Sequence, residues 1–162
     1  MPDDVLLGAD LGTSGLKLVA LDPSGQVVAE AERAYPIDRP APDRAETDVA
    51  TWRHAFDEAL AAVASALAGS QVRALGIAGQ MHGAVLVDDA GRALRPALLW
   101  ADSRASAELD LWRALPDADR AALANPLVPG MTGPLLAWLA RHEPRTLARA
   151  AAVHTGRSDR GQ

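Results

Sequence analysis

The segment Val5 to Asp22, VLLGADLGTSGLKLVALD, constrains the fold more than any other part of the chain. Two alternating apolar runs flank a short Gly/Thr/Ser/Gly turn, which predicts two antiparallel strands joined tightly. Asp10 stands at the mouth of that turn. Gly12 and Gly15 allow φ > 0 and close backbone approach, so that N–H groups can converge on an anion. Thr13 and Ser14 add hydroxyl donors, and Lys17, the only lysine in the chain, puts a compact positive charge on the outgoing strand. A carboxylate repels phosphate, so a functional Asp10 implies Mg²⁺, held mainly through water because this ion dehydrates reluctantly. The set suits a nucleotide phosphate with its metal. A plain hairpin with a GTSG turn accounts for the same residues. The P-loop spacing is absent, and the turn leads into a strand rather than a helix, which removes the dinucleotide fingerprint.

Further along, the turn DPSG introduces a third run, Val27 to Ile37, completing an antiparallel meander. The segment Asp38 to Thr47, with Pro40 and Pro42, reads as a surface connection in which Asp43 and Glu46 are solvated. Asp48 then caps a helix whose stripe is Trp52, Phe56, Leu60, Val63 and Leu67, closed by Gly69. Val72 to Ala78, almost wholly apolar, predicts an interior strand flanked on both faces. The fold class is therefore α/β with a mixed sheet. A strand AVLVDD, a turn at Asp89 to Gly91 and an irregular strand around Pro96 follow. Helices are expected over Arg104 to Leu115, Asp119 to Ala124, Pro134 to Arg141 and Pro144 to Val153.

With 162 residues and 49% hydrophobic content, one ordinary core and a single domain are expected. A net charge of −5 without a basic patch argues against nucleic acid or an anionic membrane as partner. No run approaches the roughly 18 apolar residues of a membrane span. The acidic start, Asp3 and Asp4, lacks the basic region of a signal peptide, so the expected address is cytoplasmic. Zero cysteines exclude disulfides and thiolate-bound metals.

A second candidate site is GQMHG, Gly79 to Gly83, just past the apolar strand, where loops of α/β sheets gather ligands. Gln80 and His82 offer neutral hydrogen bonds suited to a polyol or sugar, and Met81 an adaptable apolar wall. A satisfied loop histidine beside a core methionine is the competing reading. In Trp100, Asp102 and Arg104 the structural reading is favoured, a helix cap with an ion pair. His54, His142 and His154 show no ligand spacing.

Taken together, GADLGTSGLKLVALD, ALGIAGQMHGAVLVDDAGRALRPALLWADSR and PGMTGPLLAWLARHEP resemble the amino-terminal part of xylulokinases of the FGGY carbohydrate kinase family. The resemblance implies an incomplete ribonuclease-H-like domain of the actin and hexokinase type over 1–153, with a disordered tail over 154–162. It implies ATP and Mg²⁺ as cofactors and D-xylulose as the small-molecule partner, with a homodimer as candidate assembly of the full-length enzyme. By resemblance Asp10 is the acidic residue near the metal, Gly12, Thr13, Ser14 and Lys17 the first phosphate loop, and Gln80, Met81, His82 and Gly83 the sugar loop. The MHG tripeptide favours xylulokinase over glycerol kinase. Where relatives commonly carry a lysine, this chain has Leu135. The family's catalytic base and adenosine site have no counterpart, and the ending HTGRSDRGQ departs from an expected apolar segment, as a truncation or frame change would. The expected function is phosphorylation of D-xylulose by ATP, with this fragment inactive alone. Another sugar or polyol kinase of the family, or a non-catalytic sugar-binding module, are the alternatives.

Overall fold

The computed structural model describes residues 4–123 and 126–155. In chain order the strands are β1 (Asp4–Leu11), β2 (Gly15–Leu21), β3 (Val27–Ala34), β4 (Glu46–Thr47), β5 (Gln71–Gly79), β6 (Val85–Val87), β7 (Ala97–Leu98) and β8 (Ala152–His154). The α-helices are α1 (Val49–Val63), α2 (Leu109–Arg113), α3 (Asp117–Leu123), α4 (Thr132–His142) and α5 (Pro144–Ala148). Contrary to the single domain expected from length, the chain forms two compact units. Among the described residues one comprises 4–37 with Asp48–Gln80, the other Asp38–Thr47 with 81–123 and 126–155.

The first unit is a four-stranded sheet of order β3-β2-β1-β5, in which β1, β2 and β3 run antiparallel and β5 parallel to β1. The expected meander is present. Its second turn forms because Asp22 Oδ1 accepts the N–H groups of Ser24 and Gln26, and Gly25 takes φ +86°. The parallel step needs a crossover, which α1 supplies. Asp48 caps it as predicted, accepting the Ala50 N–H at 2.8 Å. Alternation buries Val5, Leu7 and Ala9 of β1 and Leu16, Leu18 and Ala20 of β2.

Against that face the most buried residues of α1 are Ala55, Ala59 and Val63, with Trp52, Phe56, Leu60 and Leu67 packed around them. The expected large residues thus frame the contact while alanines centre it, because small side chains let the helix approach the sheet closely. The expectation for Val72 to Ala78 is overturned. β5 is an edge strand, with Val72, Leu75 and Ile77 48, 43 and 58% exposed. Its composition suits an interior strand, yet no described residue pairs with its outer edge, and those side chains stay about half exposed.

In the second unit β6 pairs with β8, the bridge Ala84↔Leu98 leads on to β7, and β7 pairs with β4. Leu135 and Leu139 of α4 pack with Ala84, Leu86, Leu98 and Ala105. The solvated loop expected around Glu46 is instead buried strand. Glu46 Oε1 accepts from Arg95 Nη2 at 2.6 Å and Arg104 Nη2 at 2.5 Å, while Arg95 Nη1 reaches Glu143 at 2.7 Å. Asp102 accepts from Ala45 N–H, Arg104 N–H and the Arg104 guanidinium at 2.8–3.0 Å. Burial opposes the Arg104 charge, but Asp102 and Glu46 outweigh it and raise its pKa. A second correction concerns the helix expected to run to Val153. The helix α5 stops at Ala148, and Ala152–His154 become β8 because β6 offers an unpaired edge. His154, expected to open a disordered tail, ends β8. Residues 156–162 of that tail, and Ala124 of the expected third helix, lie outside the described residues.

Candidate functional site

The turn between β1 and β2 lies wholly in the first unit. Gly12 and Gly15 do not use the positive φ open to glycine. Close approach is what requires glycine there: a Cβ on Gly12 would stand 3.0 Å from the Gly15 carbonyl oxygen, and one on Gly15 3.0 Å from that of Arg33. The Gly12 N–H closes the turn on Gly15 O at 2.9 Å. Beneath it lies Tyr35, buried, whose hydroxyl stands 2.7 Å from Gly12 O and 3.1 Å from Gly15 O. The Tyr35 N–H donates to Ser14 O at 3.0 Å. Burial, with the nearby Asp10 charge second, pushes the phenol up to about 12, so it stays a neutral donor.

A cleft of about 290 Å³ opens beside the turn, lined by Asp10, Gly12 to Lys17, and Glu32 to Ala34. Asp10 is exposed and faces Lys17 across the β1–β2 pair. The Lys17 ammonium sits 3.1 Å from Glu30 and 3.6 Å from Glu32, which raise its pKa, the Glu30 hydrogen bond foremost. A phosphate at this cleft must draw Lys17 from exposed partners, whose hold is weak. Among the described residues no three His, Cys, Asp or Glu side chains converge as a metal cage. Asp10 alone fits a hydrated divalent cation whose remaining ligands are water and phosphate oxygen.

Met81, His82 and Gly83 belong to the second unit, with Met81 72% exposed and His82 exposed. His82 and Gly83 take φ of +63° and +72° in succession, a left-handed corner that costs a non-glycine residue about 1–2 kcal/mol. Three contacts hold it. The Thr132 hydroxyl donates to Gly83 O at 2.8 Å, the Gly83 N–H reaches Gly130 O at 3.4 Å, and Ala84 pairs with Leu98. A Cβ on Gly83 would fall 2.5 Å from Leu98 O, and one on Gly130 1.8 Å from Trp100 O. The corner is therefore built from the GQMHG, LLWADSR and PGMTG segments together. Gln80 departs from its expected company: it lies in the first unit, and its Nε2 donates to Gly12 O at 3.1 Å.

Leu135 is wholly buried, so that position packs the core. Asp102 and Arg104 are the ion pair that the structural reading foresaw, whereas Trp100 is 53% exposed. His54 pairs with Glu58 at 3.3 Å, and His142 stacks on Trp138 at 4.6 Å between ring centroids.

The N-terminal domain of the FGGY family of carbohydrate kinases matches residues 5–158. The chain belongs to that family. It is 44% identical over 138 residues to a xylulose kinase of Escherichia coli K12, covering 85% of this chain and 28% of that one. A xylulose kinase of Klebsiella pneumoniae is 40% identical over 147 residues, covering 91% and 30%. The crystal structure of a xyloylose kinase from Brucella ovis superposes with a TM-score of 0.85 at 38% identity, covering 94% of this chain and 32% of the other. The fold is accordingly that of these kinases, ribonuclease-H-like, and the chain spans roughly 30% of the length of the relatives it matches. Among the described residues no helix is long and apolar enough to cross a membrane.

Sequence reasoning missed Tyr35, Thr132, Gly130 and Glu46. The two glycines and the threonine of PGMTG are a usable signal of a tight turn. Tyr35 and Glu46 act 20 or more residues away in sequence and leave no local pattern.

Proposed function

We propose that this chain forms the phosphate-binding and sugar-binding part of a kinase transferring the γ-phosphoryl group of ATP to D-xylulose, and that alone it does not turn over. The observation that carries the reading is the left-handed His82-Gly83 corner after Met81, which is held by Thr132, Gly130 and Leu98. Strain maintained by three elements is characteristic of a functional position. There His82 would hydrogen-bond a sugar hydroxyl, with Met81 against the carbon chain and Gly83 shaping the corner.

In the first unit Gly12, Thr13, Ser14 and Lys17 would take the phosphates, and Asp10 a Mg²⁺ ion through water. That ion, when bound, supplies charge neutralisation on the phosphates. Positioning and charge stabilisation are most of what phosphoryl transfer requires, and this chain supplies part of both. Residues 1–153 are read as the amino-terminal part of the family's first domain, and the cytoplasm as its place of work.

The test is thermal shift and calorimetric titration of this chain with D-xylulose, glycerol and Mg·ATP, since a ligand of the folded state stabilises by RT ln(1 + [L]/Kd). D-xylulose should stabilise the chain more than glycerol, and His82→Ala should remove that difference. No response to D-xylulose at millimolar concentration, or one that survives His82→Ala, contradicts the reading.

A further inference from the structure

The carbonyl oxygens of the β1–β2 turn are held by hydrogen bonds. Gly12 O accepts from the Tyr35 hydroxyl and from Gln80 Nε2, Gly15 O from Gly12 N–H with the Tyr35 hydroxyl also in reach, and Ser14 O from Tyr35 N–H. A carbonyl oxygen carries partial negative charge and repels phosphate, so its direction matters as much as the donors do. We propose that Tyr35 and Gln80 are positioning residues of the phosphate turn, holding the Gly12, Ser14 and Gly15 carbonyls so that the cleft meets an anion with donors. This rests on reading the turn as the phosphate site.

The two residues act differently. Tyr35 is 7% exposed and grips the turn through both its hydroxyl and its backbone N–H, so it resists displacement. Among the described residues the Gln80 amide has its orientation set by Gly12 alone. Its Oε1 is buried without a hydrogen-bond partner among the described residues, and reversing the amide would press two carbonyl oxygens together. Removing either donor leaves the Gly12 carbonyl with one partner in place of two. The segment 12–15 should then open more often than the helix beside it.

The experiment uses the 162-residue chain as wild type, Tyr35→Phe and Gln80→Glu. Backbone amide exchange at 12–15 is read by NMR, and Mg·ATP affinity by calorimetry. Each variant should raise exchange at 12–15 on the order of tenfold, as loss of about 1.4 kcal/mol implies, leave Ala55–Ala59 of α1 unchanged, and weaken Mg·ATP binding about 5–10-fold. The carboxylate of Gln80→Glu cannot donate, whereas its protonated form can, so lowering the pH should restore protection in that variant alone. Unchanged exchange at 12–15, or Mg·ATP affinity equal to wild type despite faster exchange, overturns the proposal while the phosphate reading stands. A wild-type chain that does not bind Mg·ATP overturns the phosphate reading itself, and the positioning role with it.

Discussion

Replacing Gly83 by alanine should destabilise the second unit far more than the same change at Gly91. Both glycines have left-handed φ, +72° and +74°, so each pays the same backbone strain, about 1–2 kcal/mol. Around Gly91 nothing lies within 4 Å of an added Cβ, but at Gly83 Leu98 O lies at 2.5 Å. That carbonyl is itself committed to the Ala84 N–H at 2.9 Å, so relief requires shifting β7 or breaking the bridge to it. Overpacking of this kind costs a further ~1–3 kcal/mol, for a total of about 2–5 kcal/mol. With a urea slope of about 2 kcal/mol per molar, the midpoint should fall by about 1–2.5 M, against about 0.5–1 M for Gly91→Ala. Tryptophan fluorescence is a suitable probe, since Trp100, Trp112 and Trp138 lie in the second unit. Equal midpoints for the two variants would refute the claim that the corner is locked against β7.

Asp102→Ala should cost about 3–5 kcal/mol in the same assay, because it leaves the Arg104 guanidinium with Glu46 in place of two carboxylates and strands the Ala45 N–H inside the unit; a cost below 1 kcal/mol would show that the network is slack. Tyr35, the only tyrosine, should ionise near pH 12 in the tyrosinate absorbance. An unfolded tyrosine ionises near pH 10, so its contribution to stability is intact below about pH 10 and is lost as the pH rises towards 12. Tyr35→Phe should remove that part of the alkaline loss, and a wild-type midpoint near 10 would contradict the burial. Ile77→Lys, on the exposed edge strand β5, should raise solubility and reduce self-association in size-exclusion chromatography; an unchanged elution profile would show that this edge is not sticky.

The meander, α1 and its Asp48 cap were legible because each rests on local signals: alternation, turn residues and a capping side chain. The GTSG turn was located correctly, and of the two reasons for its glycines, close approach is the one at work, since neither Gly12 nor Gly15 has positive φ. What could not be read is what depends on distant partners. Glu46 lies in a Pro-rich polar stretch, and only Arg95 and Arg104, 49 and 58 residues on, make it a buried strand residue. Ala152–His154 follows a short helix, and only the edge of β6 turns it into a strand. For β5 the pattern spoke of burial, whereas the fold of the described residues leaves the strand at an edge. Gln80 was grouped with Met81 and His82 by adjacency, yet its side chain turns to Gly12, 68 residues back.

The central claim is that the Asp10 to Lys17 turn and the Met81 to Gly83 corner are the phosphate and sugar elements of one kinase. Its most direct test fuses residues 1–153 to the carboxy-terminal remainder of a xylulose kinase relative and measures D-xylulose-dependent ADP release. The fusion should turn over at ordinary kinase rates, roughly 1–100 s⁻¹. Asp10→Asn should lower kcat far more than it raises the KM for sugar, and His82→Ala should lower kcat/KM by about 1–3 kcal/mol. A folded fusion that releases ADP with near-normal kcat after Asp10→Asn, or with unchanged kcat/KM for D-xylulose after His82→Ala, would contradict it.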